Sequence, residues 1–449
     1  MSNNNCVIDN AGEGLFIAGI KVTSGGILSV FLNLLGTIIL ARAIGRGGMG
    51  KYDLLRQTAV LAVTFFSLGI GSACIFLLNK ERISREEIAT AVIRVLIFLG
   101  FILGIGISAA ILIFPEYFGS ISPIIAAYYG IGTGALLFVV SLRAFQVAQL
   151  ASKRIVLADI CAPLVVLFGL TLLWQVRRLK LEPALVLQAS GNIATALVLL
   201  IWTLPYVNLR IRLRPLLIRR MLSLGAQLYA TNLLQIMAPS LTLLVFRYMM
   251  LGDAGFESLG LFTRANALCG LGMLVPSATG PLLYAKWSGM KDADRKRHVE
   301  LAGRMNIFYG GSVAVLLVLF GHAALRLLYG NEFGAAQVAV YALAPAVAVF
   351  SLSNVYLNLF ASIGKAWLNA VIFACSTFFT VALTVLLVPR QGIGGAALAT
   401  LFGQLFILAS VASLGWRLQK VNFFHCLLPS WDDVQNILSR YRRRTRVKS

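Results

Sequence analysis

The chain alternates long apolar runs with short polar gaps along most of its length. Twelve runs can be marked, each near the ~20 residues that a helix needs to cross the hydrocarbon core of a bilayer. They cover approximately residues 16–40, 54–78, 91–114, 121–147, 156–175, 184–205, 223–250, 258–285, 305–328, 336–361, 368–388 and 393–418. The pattern predicts an all-α polytopic membrane protein with about 12 transmembrane helices.

A glycine-rich polar turn, ARAIGRGGMGKYDLLRQ, separates the first two runs and carries Arg42, Arg46, Lys51 and Arg56. A polar turn between two spans is typical of a chain that leaves a bilayer and re-enters it. A similar stretch, RYMMLGDAGFESLGLFTRANALCGLGMLV, places Gly260-Leu261-Phe262 210 residues after Gly50-Lys51-Tyr52. We therefore expect a doubled hairpin.

The same offset recurs elsewhere. Lys153 precedes Lys365 by 212 residues, and Gly191-Asn192 precedes Gly403-Gln404 by the same number. Six spans return the chain to its starting side, so the two halves should form a parallel repeat about an axis along the membrane normal. The predicted division is a six-helix lobe at 1–208, a basic cytoplasmic linker at 209–222, a second six-helix lobe at 223–418 and a basic cytoplasmic tail at 419–449.

Composition excludes a water-facing globule, since 59% of the residues are hydrophobic and only 12% are charged. A net charge of +22 would indicate nucleic acid in a soluble protein, but here the basic residues lie mainly in the gaps between apolar runs. We therefore expect the bilayer as partner and no nucleic acid. The distribution of Lys and Arg places both termini in the cytoplasm.

The sequence offers no sign of an enzyme. The six cysteines are single and widely spaced, which predicts neither disulfides nor a metal site. No gap between runs exceeds about 20 residues, so an extramembrane catalytic domain has no room. We expect no cofactor, and any function should lie within the helix bundle.

Polar residues inside the runs are the candidate site. A charge at the bilayer centre costs about 2.5–3.5 kcal/mol, so it indicates function unless the side chain reaches water. The candidate substrate-binding residues are the cations Lys21, Arg56, Arg247 and Arg264 and the amides Asn33, Asn232 and Gln235. Structural alternatives are snorkelling for Arg56 and Arg247, and helix-to-helix hydrogen bonds for the amides.

Asp159 is the one acidic residue that the runs place plainly inside a span. It is interpreted either as an ion pair with Lys153 or Arg154, or as a coupling site for a proton or another cation. A cavity with several cations and almost no carboxylates favours an anionic ligand such as a phosphate or a carboxylate.

The chain resembles a known family over nearly its whole length, and two stretches carry the resemblance. They are LARAIGRGGMGKYDLLRQ with the following SLGIGSACIFLLNK, and RLLYGNEFGAAQVAVYALAPAVAVFSLSNVYLNLFASIGKAWLNA. They are similar to the O-antigen (Wzx-type) flippases, in the polysaccharide transporter branch of the multidrug/oligosaccharidyl-lipid/polysaccharide exporter superfamily. The resemblance implies two lobes in a V around a central cavity, alternating access, and an undecaprenyl-pyrophosphate-linked oligosaccharide as substrate.

The same resemblance implies the bacterial cytoplasmic (inner) membrane, a role in O-antigen, capsule or exopolysaccharide biosynthesis, and a polysaccharide polymerase and chain-length regulator as partners. Three other functions are compatible with a polytopic membrane protein. A cation-coupled multidrug exporter is disfavoured by the missing carboxylates, and a membrane glycan polymerase or ligase by the lack of a large outer loop. A non-transporting structural protein would not need arginines within its spans.

Overall fold

The computed structural model describes residues 11–81, 83–208, 215–421 and 423–427, and no strand occurs within these ranges. The α-helices in chain order are α1 (Ala11–Phe66), α2 (Ile70–Asn79), α3 (Arg85–Ile113), α4 (Pro115–Phe118), α5 (Pro123–Ala148), α6 (Ser152–Gln175), α7 (Leu181–Thr203), α8 (Pro215–Met249), α9 (Asp253–Gly272), α10 (Leu274–Ser288), α11 (Asp292–Tyr329), α12 (Gln337–Ser362), α13 (Trp367–Gln391), α14 (Ile393–Gln419) and α15 (Phe423–Leu427). The predicted all-α class is confirmed.

Within the described ranges, ten helices are long and apolar enough to cross a membrane. The pair α9 and α10, bent by 44°, adds an eleventh if it is counted as one span. Side chains exposed on these helices are often apolar, as expected where a helix meets lipid; examples are Phe101, Phe308 and Phe378, which are 69%, 78% and 79% exposed. The count of twelve stays a prediction, because it requires α1 to be counted as two spans.

The first predicted hairpin lies within α1. Gly45 has φ 66° and ψ −177°, a conformation that residues with a Cβ rarely adopt. Asn33 and Arg56 would lie about 35 Å apart along a straight helix, yet both line one small recess. The chain therefore reverses near Gly45, as predicted, although the expected loop is almost entirely helical.

The second predicted hairpin begins where α8 ends at Met249, and Gly252, with φ 86°, lies just before α9. The predicted run 258–285 is broken around Met273, where α9 gives way to α10. A single apolar run can therefore contain a bend that hydropathy alone does not show.

The Cα positions divide the chain into two compact units. The first contains Met1–Leu261 and Leu328–Glu332, and the second contains Phe262–Leu327 and Phe333–Ser449. In the first unit, α5 packs against α3 and α7, and α6 packs against α1 and α7. In the second, α14 packs against α12 and α13, and α10 packs against α12. The predicted lobe boundaries stay a prediction; residues 209–214 of the linker and 428–449 of the tail lie outside the described residues.

Candidate binding site in the first unit

A small recess in the first unit brings together Asn33 and Arg56, two of the predicted binding residues. Both arms of α1 line it, together with α6 and α7. Its polar lining residues are Asn33, Thr37, Tyr52, Arg56 and Gln188, and its other lining residues are Leu32, Gly36, Leu40, Pro163, Val166 and Leu170. We call it the Arg56 recess. Arg56 is the one charged residue among these lining residues, so the recess is electropositive.

The Arg56 side chain is exposed, as is that of Asn33. Within the part of the chain that the structure describes, no carboxylate forms an ion pair with Arg56. Asn33 Nδ2 donates to the carbonyl oxygen of Ser29 at 2.9 Å, which leaves its amide oxygen toward the surroundings. A guanidinium at membrane depth can neutralise an anionic ligand with several N–H donors at once.

Three residues that the sequence did not indicate as site residues form a hydrogen-bonded row at this recess. The Tyr52 hydroxyl donates to Gln188 Oε1 at 2.8 Å, and Gln188 Nε2 lies 3.4 Å from Asn192 Oδ1. Gln188 and Asn192 are four residues apart on α7 and therefore lie on one face of the helix. The four-residue spacing of Gln188 and Asn192 within an apolar run is the one sequence signal that could have indicated these two amides.

Asn232 and Gln235 are exposed on α8, on the same face as Pro239. An amide that faces lipid lacks hydrogen-bond partners, so such a face is expected to meet water or a ligand. Both residues therefore remain candidates for contact with a polar ligand.

Arg247 has a different environment. Its side chain is fully buried, and its guanidinium lies over the Phe256 ring with 3.5 Å between Cζ and the ring centroid. Its N–H groups donate to four carbonyl oxygens, those of Glu116 (2.6 Å), Tyr117 (2.9 Å), Met250 (2.8 Å) and Gly252 (2.9 Å). These contacts leave little of the guanidinium for a ligand, so they argue for a structural role rather than the predicted substrate contact.

Arg247 joins the short helix α4 to the end of α8. Tyr117 strengthens this joint, because its hydroxyl donates to the carbonyl oxygen of Leu244 at 2.7 Å. Burial raises the pKa of Tyr117, and the nearby positive charge of Arg247 only partly opposes that rise. The hydroxyl is therefore protonated near neutral pH and keeps its proton for the hydrogen bond.

Arg264 lies on α9 and its side chain is only 3% exposed. In this conformation it does not offer its guanidinium to solvent, and its role as a ligand contact stays a prediction. The side chain of Lys21 lies outside the described residues.

Asp159 forms an ion pair, as one of the two interpretations predicted, but with a different partner. Arg143 on α5 donates from Nε to Oδ1 at 2.5 Å and from Nη2 to Oδ2 at 2.8 Å. The expected partners Lys153 and Arg154 were chosen for closeness in sequence, whereas Arg143 lies across the α5–α6 contact. This bidentate pair supports the structural interpretation of Asp159, and the coupling role stays a prediction.

Asp159 is not the only acidic residue within a span. Asp53, in the second arm of α1, is 7% exposed and lies inside the candidate span Ser24–Phe66. The hydropathy pattern does not indicate Asp53, because the apolar run begins one residue later, at residue 54. Asp53 is not among the residues that line the Arg56 recess.

The polar turn after Gly45 pairs with the start of α9. Arg46 Nη2 lies 2.8 Å from Glu257 Oε2, and Lys51 Nζ lies 3.6 Å from Asp253 Oδ1. These carboxylates partly balance the basic residues of the turn, which would lie outside the cytoplasm if both termini are cytoplasmic. We call these two ion pairs the turn cluster.

Comparisons with known proteins agree with this architecture. Residues 18–280 match the model of a family described as polysaccharide biosynthesis protein. The capsular polysaccharide biosynthesis protein CapF of Staphylococcus aureus is 28% identical over 161 residues, a match that spans 35% of this chain and 40% of that protein.

Two solved structures are similar in fold. An inward-facing multidrug resistance MATE family transporter of the MOP superfamily has a TM-score of 0.73 at 15% identity, covering 90% of this chain and 98% of its own. The lipid II flippase MurJ in an inward closed conformation has a TM-score of 0.72 at 14% identity, covering 88% and 87%. At these identities the similarity concerns the fold. Since the family match covers more than half of the 449 residues, the chain belongs to the polysaccharide biosynthesis protein family, built on the fold that MATE transporters and MurJ share.

Proposed function

We propose that this protein flips an undecaprenyl-pyrophosphate-linked oligosaccharide across the bacterial cytoplasmic membrane by alternating access. The product would serve O-antigen, capsule or exopolysaccharide biosynthesis, with a polysaccharide polymerase and a chain-length regulator as partners. The family membership supports a role in polysaccharide biosynthesis. The similarity to a lipid II flippase supports a fold suited to moving a lipid-linked sugar.

The observation that carries the proposal is the charge of the Arg56 recess. An exposed arginine lies beside amide and hydroxyl side chains, and none of the lining residues is acidic. A pyrophosphate gains from such a site because a guanidinium offers paired N–H donors to phosphate oxygens. The exposed Asn232 and Gln235 of α8 are assigned to sugar hydroxyls, and Asn33 is assigned to the part of the ligand that Arg56 holds.

The leading alternative is a cation-coupled multidrug exporter, because the fold alone does not separate it from a flippase. A cationic drug would meet repulsion at Arg56, whereas a phosphate would be attracted. The charge of the recess therefore favours the flippase. A polymerase or ligase would carry out glycosyl transfer, and we propose no catalytic residue.

The test is transport by the full chain in proteoliposomes. Flipping of a fluorescent undecaprenyl-pyrophosphate-linked oligosaccharide is measured beside uptake of a cationic dye. We expect the first and not the second, with Arg56→Ala lowering flipping at least tenfold and Arg56→Glu abolishing it. Arg417→Glu, an exposed change at the end of α14, is the charge-matched control. Dye transport without lipid flipping would refute the proposal.

The topology of the proposal has its own test. Both termini are expected in the cytoplasm, from the distribution of basic residues. A reporter that is active only outside the cytoplasm, fused after Ser449, should stay inactive. The same reporter fused after Gly119, in an outer gap, should be active.

A further inference from the structure

We propose that Gln188 donates a hydrogen bond to a phosphate oxygen held by Arg56, and that Tyr52 positions the Gln188 amide for this contact. The inference rests on the proposed function and names the part of the substrate that enters the Arg56 recess. Neither Gln188 nor Tyr52 was a candidate from the sequence.

Tyr52 sets the orientation of the amide. Its hydroxyl donates to Gln188 Oε1 at 2.8 Å, and the Tyr52 side chain is only 3% exposed, so neighbouring atoms hold it in place. Because Oε1 accepts this hydrogen bond, the NH2 group of Gln188 lies on the side of the amide away from Tyr52. One of its two N–H groups is directed to Asn192 Oδ1 at 3.4 Å, which leaves the second as a donor beside Arg56.

The other polar side chains of the recess already donate protons to backbone carbonyl oxygens. Thr37 gives its hydroxyl proton to the carbonyl oxygen of Leu34, and Asn33 gives an amide proton to that of Ser29. Guanidinium and amide N–H groups without a carboxylate favour a ligand atom that only accepts hydrogen bonds. An oxygen of a phosphate meets this condition better than a sugar hydroxyl, which must also donate.

The size of the recess supports the same choice. Its volume is about 10 Å³. Roughly 10–15 Å³ is what one water molecule needs, so the recess admits a single oxygen atom and excludes a sugar ring. We infer that one pyrophosphate oxygen enters it while the glycan stays outside.

The decisive variant is Gln188→Glu, which keeps the side-chain volume and replaces the donor by a carboxylate. The assay measures binding and flipping of undecaprenyl pyrophosphate itself in proteoliposomes. At about pH 8 the introduced charge should repel the phosphate and raise the apparent Kd at least tenfold. As the pH falls toward the ordinary Glu pKa of about 4.3, the carboxyl becomes a neutral donor and binding should recover relative to wild type. A merely structural role would change the unfolding midpoint with pH in parallel with binding, whereas the proposed contact changes binding alone.

Gln391→Glu, an exposed change at the end of α13, is the matched control and should follow wild type at every pH. Tyr52→Phe removes the positioning hydroxyl and should raise KM for flipping several-fold with little change in kcat. If Gln188→Glu does not fold, Gln188→Met takes its place and should weaken binding without pH dependence.

The outcomes separate the two proposals. A wild-type protein that neither binds nor flips undecaprenyl pyrophosphate or its glycan-linked form overturns the proposed function. A wild-type protein that flips the glycan-linked lipid, with a folded Gln188→Glu or Gln188→Met that binds as tightly as wild type at pH 8, overturns the role of Gln188 alone.

Discussion

Gly50 of α1 and Gly260 of α9 lie back to back in the first unit. A Cβ atom on Gly50 would lie 1.9 Å from the carbonyl oxygen of Phe256, and one on Gly260 would lie 2.0 Å from that of Arg46. Gly50 faces Phe256, four positions before Gly260, and Gly260 faces Arg46, four positions before Gly50. Gly50 and Gly260 are 210 residues apart, and so are Arg46 and Phe256. The reciprocity is what a repeat of this turn would produce, and the repeat itself stays a prediction.

This contact predicts that Gly50→Ala destabilises the protein. A methyl group cannot fit without separating α1 and α9, and overpacking typically costs about 1–3 kcal/mol. Thermal unfolding in detergent should show a lower midpoint. Gly106→Ala is the control, because the position is helical and a Cβ there would have no atom within 4 Å. Equal midpoints for the two variants would contradict the close contact.

The turn cluster predicts a modest coupling between Arg46 and Glu257. Both side chains are more than 40% exposed, so their ion pair should contribute only about 0.2–1 kcal/mol. Arg46→Glu and Glu257→Arg should each lower the free energy of unfolding slightly, and the double swap should restore it. A double-mutant cycle at low salt measures this coupling, which added salt should reduce. Additive effects would show that the pair is not formed in solution.

Periodicity and charge predict much of this architecture, because the bilayer imposes long apolar helices and penalises charges within them. The reversal near Gly45 and the meeting of Asn33 and Arg56 follow from a single polar turn. Arg143 and Arg247 could not be assigned in this way, because the partner of Arg143 lies on α6 and two of the four carbonyl oxygens around Arg247 belong to α4. Carbonyl oxygens occur at every residue, so the residue types around a cation do not indicate that backbone carbonyls will bury it.

Arg247 is therefore expected to govern stability. Arg247→Met would leave four carbonyl oxygens without their donor, and we expect a loss on the order of 3–5 kcal/mol in the free energy of unfolding. The measurement is the yield and unfolding midpoint of the purified protein. Arg56→Ala is the comparison, since its exposed side chain should be removed without loss of stability. A normal midpoint for Arg247→Met would contradict the structural role.

We expect Asp159 to stabilise the fold through its ion pair with Arg143. Asp159→Asn leaves Arg143 without its carboxylate and should lower stability, while binding of undecaprenyl pyrophosphate persists in the folded fraction. Exchanging the pair, with Arg143→Asp and Asp159→Arg together, should recover part of the loss. If Asp159→Asn abolished substrate binding at unchanged expression and stability, or if it removed a proton dependence of flipping, the coupling interpretation would be preferred.

Variants of Arg264 distinguish most sharply between two roles for a buried arginine, one structural and one in ligand binding. Its side chain is 3% exposed, and truncating a buried side chain leaves a cavity and neighbouring polar groups without their partner, which typically costs a few kcal/mol. We expect Arg264→Ala to lower the unfolding midpoint as Arg247→Met does, and Arg264→Lys to lower it less. Flipping, normalised to folded protein, then reports any further role in the transport cycle. If instead Arg264→Ala melts like wild type and flips no lipid-linked glycan, the guanidinium contacts pyrophosphate in a conformation that exposes it.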